Sequence, residues 1–166
     1  DLVVAVAEMR ARMAAEHKAA NMWRVKYLRG GLIDCEFIAQ YLQLRNAAAH
    51  PEVLDTGTVS AFGKLADAGL LDRQTADELI EATRLWRRLQ GLRRIAAEDA
   101  TDAGAYPPQL REALARAGDA SDFFALERKV TEIAARTLAH FATIIDEPAA
   151  AITAARNQDK AGETRK

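Results

Sequence analysis

A single cysteine, Cys35, occurs in 166 residues, so the chain forms no internal disulfide and builds no cysteine-based zinc site. It also lacks an excess of charge: 23 Lys plus Arg stand against 24 Asp plus Glu, a net charge of −1. That balance argues against a dedicated nucleic-acid binder or a basic membrane-surface protein. No run of about 18 apolar residues is present to span a membrane. No charged segment followed by an apolar one opens the chain, so no signal peptide is visible and the expected setting is a reducing cytoplasm. No stretch of about four to eight residues alternates in β-branched side chains, which leaves no predicted strand. Gly-x-Ser-x-Gly, Walker A and dinucleotide fingerprints are missing as well. The first residue is Asp rather than Met, which reads as a processed chain or a piece of a larger one.

What the sequence has in abundance is alanine, 36 residues, together with Leu, Arg and Glu, the strong helix formers. The four prolines and nine glycines fall mostly between periodic stretches and act as punctuation. The expected fold is all-α, an antiparallel bundle of about six helices joined by short loops. The first helix is read over Leu2 to His17. The second opens after Gly30-Gly31 and runs to Asn46, before His50-Pro51. Thr58 is the expected N-cap of a third, which ends at Gly69. Thr75 and Glu78 form a capping-box pattern for a long fourth helix reaching Ala97. Pro107-Pro108 start a fifth, closed by Gly118. Ser121 caps a sixth, with Phe123, Leu126, Val130, Ile133, Thr137, Phe141 and Ile144 at three- and four-residue spacing on its core face. The helical domain is thus expected over 1–146, and 147–166, beyond Pro148, is expected to be a frayed or disordered tail.

The densest segment is Trp23 to Arg45. Two glycines directly before a helix let the backbone approach a neighbour closely. The unpaired first-turn N–H groups, with Lys26 and Arg29 just upstream, suit an anion such as a phosphate. The plainer reading is a tight loop-to-helix junction with Asp34 and Glu36 complementing the helix dipole. At about 100° per residue, Glu36, Gln40 and Gln43 share one polar stripe. Ile33, Phe37, Ile38, Tyr41, Leu42 and Leu44 cover the other side. Asp34 falls inside that apolar arc, roughly 160° from Glu36, so the two acids cannot chelate one metal together. A carboxylate there needs a partner; the candidates are Arg93, on the apolar stripe of the fourth helix, and then Lys26.

The run K-Y-x-R-G-G-L-I-D-x-E-F-I-A-Q-Y-L-Q-L resembles the helical domain of the glutamine synthetase adenylyltransferases. The matching residues are Lys26, Gly30, Gly31, Leu32, Asp34, Glu36, Phe37, Gln40 and Leu44. His50-Pro51, Leu65-Ala66-x-Ala68-Gly69-Leu70-Leu71, Leu85-Trp86 and Gln90-Gly91 continue the pattern, and the resemblance covers Leu2 to Asp146. Cys35 stands where an aliphatic residue is expected. The related PII uridylyltransferases carry a similar glycine pair.

The resemblance implies an adjoining nucleotidyltransferase domain that uses ATP and Mg²⁺ to adenylylate glutamine synthetase. The two-acid metal site of that domain is missing from this sequence. The chain is therefore expected to be a helical domain, the C-terminal one, that holds no cofactor and has no catalytic residue of its own. Lys26, Arg29, Gly30, Gly31, Asp34, Glu36 and Gln40 are the candidates for a nucleotide or interdomain cleft. The expected partners are the nucleotidyltransferase domain, glutamine synthetase and the PII protein, with no nucleic acid and no membrane. The alternative is a structural helical adaptor that binds PII or the synthetase.

Five arginines between Arg84 and Arg94 could offer a phosphate or acidic-partner surface, but they scatter around their helix rather than forming a stripe, which favours solvated faces. His17, His50 and His140 have no metal-ligand spacing. The aromatic residues suit a core, and Cys35 has no nearby His to activate it.

Overall fold

A helix with apolar residues on nearly every side belongs at the centre of a bundle. The segment Leu32–Asn46 (α2) takes that place, with nine buried residues. Around it pack Leu2–Glu16 (α1), Thr58–Asp67 (α3), Arg73–Ala96 (α4) and Phe123–Phe141 (α6). Pro108–Ala117 (α5) joins α4 to α6, and Glu147–Glu163 (α7) lies along α1. This computed structural model describes residues 1–17, 19, 21–96 and 106–163, and among them no strand occurs. The predicted all-α bundle is what is found. Trp23, Trp86, Phe62, Phe141, Ile38 and Leu79 are fully buried in its core. Of the predicted core face of this last helix, Leu126, Val130, Ile133, Thr137 and Phe141 are buried, while Phe123 and Ile144 are half-buried and pack against the core.

The bounds of α2 and α5 follow the glycine and proline punctuation, but several caps differ from the expected ones. Gly57, not Thr58, is the N-cap of α3, and Thr58 lies inside the helix. The Asp55 carboxylate closes this turn, accepting from the Gly57 N–H and the Ser60 hydroxyl, both at 2.7 Å. Asp72 starts α4 by accepting from the Thr75 N–H at 3.0 Å. The helix therefore begins at Arg73, and Glu78 turns to His140 (2.7 Å) rather than completing a capping box. Asp122 caps α6 through the Ala125 N–H at 2.8 Å, with Ser121 only donating to it. In each case a carboxylate near the expected residue wins, because its charge also complements the positive end of the helix. The expected end at Gly69 holds. Gly69 has φ +69°, and Leu70 N–H reaches Leu65 O while Gly69 N–H reaches Ala66 O. That is the paired closure a left-handed glycine makes possible. Ala97, the expected end of the fourth helix, lies outside the described residues.

The tail is the larger correction. Residues Glu147–Glu163 are helical, with Ala149 buried and Ile152 packed against the core. The helix continues through Pro148, although proline lacks an N–H and crowds the preceding turn. One turn of π-helix, Ala142–Asp146, lies just ahead of it. Its wider turn takes up the misfit. α6, the π turn and α7 thus run consecutively, and counting them as one rod gives six α-helices among the described residues.

Hydrogen bonds from Gly57 N–H and Ser60, then the Lys64 ammonium, hold the Asp55 carboxyl down at about 2, against 3.8 ordinarily. A carboxyl depressed on folding contributes stability fully above its unfolded value and loses it as pH falls through the folded one. Asp55→Asn should therefore lose less thermal stability than the parent chain between about pH 4 and pH 2. Equal losses in a melting series would reject this.

Candidate functional site

The glycine pair is a packing device. Gly30 has φ +78°, and a Cβ there would sit 1.9 Å from the Ala134 carbonyl oxygen of α6. A Cβ on Gly31 would sit 2.1 Å from the Val25 oxygen. The N–H groups that an anion would need are already engaged. Gly30 donates to Asp34 at 2.5 Å. Gly31 donates to Leu28 O at 2.9 Å, Leu32 to Val25 O at 2.9 Å and Ile33 to Lys26 O at 3.2 Å. The reading of this helix start as a phosphate cradle is corrected: the incoming loop folds back and takes the donors itself.

Asp34 is fully buried, as its helical phase predicts, but its partner is neither Arg93 nor Lys26. Arg10 of α1, itself 1% exposed, donates from Nε to Asp34 at 2.5 Å. Arg29 stands behind, its Nε 3.7 Å from Asp34 and its Nη2 3.8 Å from Asp146, with its guanidinium over the Phe141 ring. Burial pushes the Asp146 carboxyl up, Arg29 opposes, Asp34 raises it further and Arg10 opposes. Two arginines and two acids thus tie α1, α2, the loop before it and the π turn together. Arg10 went unseen because its distance from Asp34 in sequence hides the pairing. The available signal was its place on α1, seven residues after the buried Val3 and so on the same face.

The outer side of α2 divides. Gln40 is exposed and Glu36 half-buried, as the polar stripe predicts. Gln43 is buried, a correction: its Oε1 accepts from Asp55 N–H at 2.7 Å and its Nε2 donates to Ala39 O. The loop before α3 covers that end of the stripe. Leu44, placed with the apolar arc, is 62% exposed. Cys35 is buried against α4, and burial, partly offset by the Thr83 hydroxyl, pushes its thiol up to about 12. It is no nucleophile at neutral pH.

Lys26 belongs to a different place. With Arg24 and Tyr27 from the loop and Gln90, Arg93 and Arg94 from α4, it lines a cavity of about 230 Å³. Arg93 is half-buried, as its stripe predicts. Its Nε donates to Tyr106 Oη at 3.0 Å and its Nη1 to Trp23 O at 2.5 Å. Trp23 stacks on Phe123 at 4.8 Å and meets Tyr106 edge-on, which fixes the wall behind Arg93. The candidate residues therefore part three ways. Lys26 lines the cavity, Arg29 and Asp34 join the ion cluster held by Gly30, and Glu36 and Gln40 lie on the outer side of α2.

An all-α domain, built on a glycine-pair helix start locked to a neighbouring helix backbone, is the class defined here. The chain belongs to the family described as GlnD PII-uridylyltransferase, whose profile matches residues 6–145. Over 140 residues, 84% of its length, it is 41% identical to the bifunctional glutamine synthetase adenylyltransferase/adenylyl-removing enzyme of Rhodopseudomonas palustris (strain HaA2), covering 14% of that protein. The enzyme of the same description from Xanthobacter autotrophicus is 37% identical over 144 residues, 87% of this chain and 15% of that protein. The one from Bradyrhizobium diazoefficiens is 39% identical over 127 residues, 76% of this chain and 13% of that protein. The chain thus spans about one-seventh of the length of these relatives.

Proposed function

We propose that this chain is a non-catalytic helical domain of a glutamine synthetase adenylyltransferase. In this reading it forms one wall of the cleft in which an adjoining nucleotidyltransferase domain transfers AMP from ATP to the synthetase. The observation that carries the reading is 41% identity across 84% of the chain to an enzyme of that name. The outer side of α2 supports it, because Gln40 is free to face a neighbouring domain and Glu36 is half open. The chain's own residues do not fit Mg²⁺. Asp34 is committed to Arg10 and Gly30, and among the described residues no three His, Cys, Asp or Glu side chains gather to hold a metal. In this reading the metal belongs to the adjoining domain, and this domain orients and encloses.

The test uses an intact adenylyltransferase that carries this chain, with glutamine synthetase, ATP and Mg²⁺. Gln40→Ala and Glu36→Ala should slow AMP transfer several-fold. Their melting temperatures should stay within about 2 °C of the parent, as for surface substitutions generally. The chain alone should leave the synthetase unlabelled. Normal transfer by both variants, or label deposited by the chain alone, would overturn the reading. Tight binding of the synthetase or PII by the chain alone, with transfer unaffected by the variants, would favour the adaptor instead.

A further inference from the structure

We infer that the cavity between the Arg24–Tyr27 loop and the end of α4 is an oligophosphate-binding pocket. Four cations converge on it, Arg24, Lys26, Arg93 and Arg94, and among the described residues none of them forms an ion pair with a carboxylate. Elsewhere in the chain arginines find acids readily: Arg10 meets Asp34, Arg88 meets Asp119 and Arg136 meets Glu81. Arg93 is the most telling. A half-buried guanidinium is held in place by two neutral oxygens, Tyr106 Oη and Trp23 O, which fix its direction without balancing its charge. A fixed guanidinium that meets no carboxylate among the described residues suits bidentate contact with phosphate oxygens.

Size and charge select the ligand class. At about 230 Å³ the cavity is smaller than the roughly 300–1,000 Å³ usual for drug-sized ligands, so it takes an anionic group rather than a whole nucleotide. Four positive charges exceed what one carboxylate balances and match a chain of two or three phosphates. Gln90 adds a neutral donor, and the Tyr27 ring, with Lys26 Nζ 5.2 Å from its centroid, walls one side. Two sources share this chemistry, the phosphate chain of a nucleoside triphosphate and free pyrophosphate. The inference shares Lys26 with the cleft reading but does not rest on it, since binding is measured on this chain without the adjoining domain or the synthetase.

Isothermal titration of the whole chain with pyrophosphate, ATP and adenosine tests it. Pyrophosphate and ATP should bind one competing site, more weakly as salt rises, and adenosine should not bind. Tighter binding of ATP would mark the nucleotide as the source, and equal or tighter binding of pyrophosphate the free ion. Because Arg93 also anchors Trp23, the exposed Arg24→Gln and Arg94→Gln carry the comparison. Each should weaken binding about tenfold, the usual worth of a charged hydrogen bond. Arg156→Gln, on exposed α7, should leave it unchanged. No saturable binding up to about 1 mM, equal binding of adenosine, or equal weakening by Arg156→Gln would overturn the inference.

Discussion

Asp34→Ala should destabilise the chain by about 3–5 kcal/mol, because it strands Arg10 as an unpaired charge in the core. Both residues are almost wholly buried, and Asp34 also holds the Gly30 N–H. Removing the carboxylate costs Arg10 its counter-ion and Gly30 its acceptor together. At about 2–4 °C per kcal/mol for a chain of this size, the melting temperature should fall by roughly 6–20 °C. Asp34→Asn should fall between the two, since its carbonyl still accepts from Gly30 without balancing the guanidinium. The double variant Arg10→Met with Asp34→Leu should recover part of the loss, because apolar replacements of a buried pair are often neutral. Recovery stays partial while Gly30 N–H lacks its acceptor. Urea unfolding of the four proteins decides this; an Asp34→Ala variant that unfolds like the parent would show that the pair contributes nothing.

Gly30→Ala should be nearly as damaging, at roughly 2–5 kcal/mol. A left-handed backbone costs an L-residue about 1–2 kcal/mol. Overpacking against a neighbour adds typically about 1–3 kcal/mol. The neighbour here is the carbonyl oxygen of Ala134 at 1.9 Å, which is backbone and cannot rotate aside. Gly63→Ala is the matching control. It lies within α3, nothing stands within 4 Å of its added Cβ, and alanine there should stabilise by about 0.5–1 kcal/mol. Opposite shifts in melting temperature are expected for the two variants. A shift of the same sign and size in both would mean that Gly30 is replaceable and that α6 does not rest on it.

The candidate site was legible where helical phase alone decides. Asp34 sits on the core side of α2 and Arg93 on the buried stripe of α4, and both burials follow from residue spacing. Phase says which way a side chain faces, not what waits there. Asp34 met Arg10 because α1 crosses α2, and Gln43 was covered because the loop at Asp55 folds over it. The basic pocket is the clearest case. The arginines of α4 do scatter around their axis, as the sequence indicates, yet Arg93 and Arg94 converge with Arg24 and Lys26 across a tertiary contact. Arg93 is bonded to Trp23, 70 residues away in sequence.

The sequence by itself determined the all-α class, the start of α2 after the glycine pair, the ends marked by Gly69 and Gly118, and the core face of α6. These depend on neighbours within about one turn, whose spacing is written in the chain. Only the tertiary structure decided that Pro148 is carried through a π turn, that Gly30 admits the α6 backbone and Gly31 the incoming loop rather than a phosphate, and which cation neutralises Asp34. Each of those rests on two elements being pressed together at close-packed density, where an oxygen or a guanidinium occupies one position and excludes the rest.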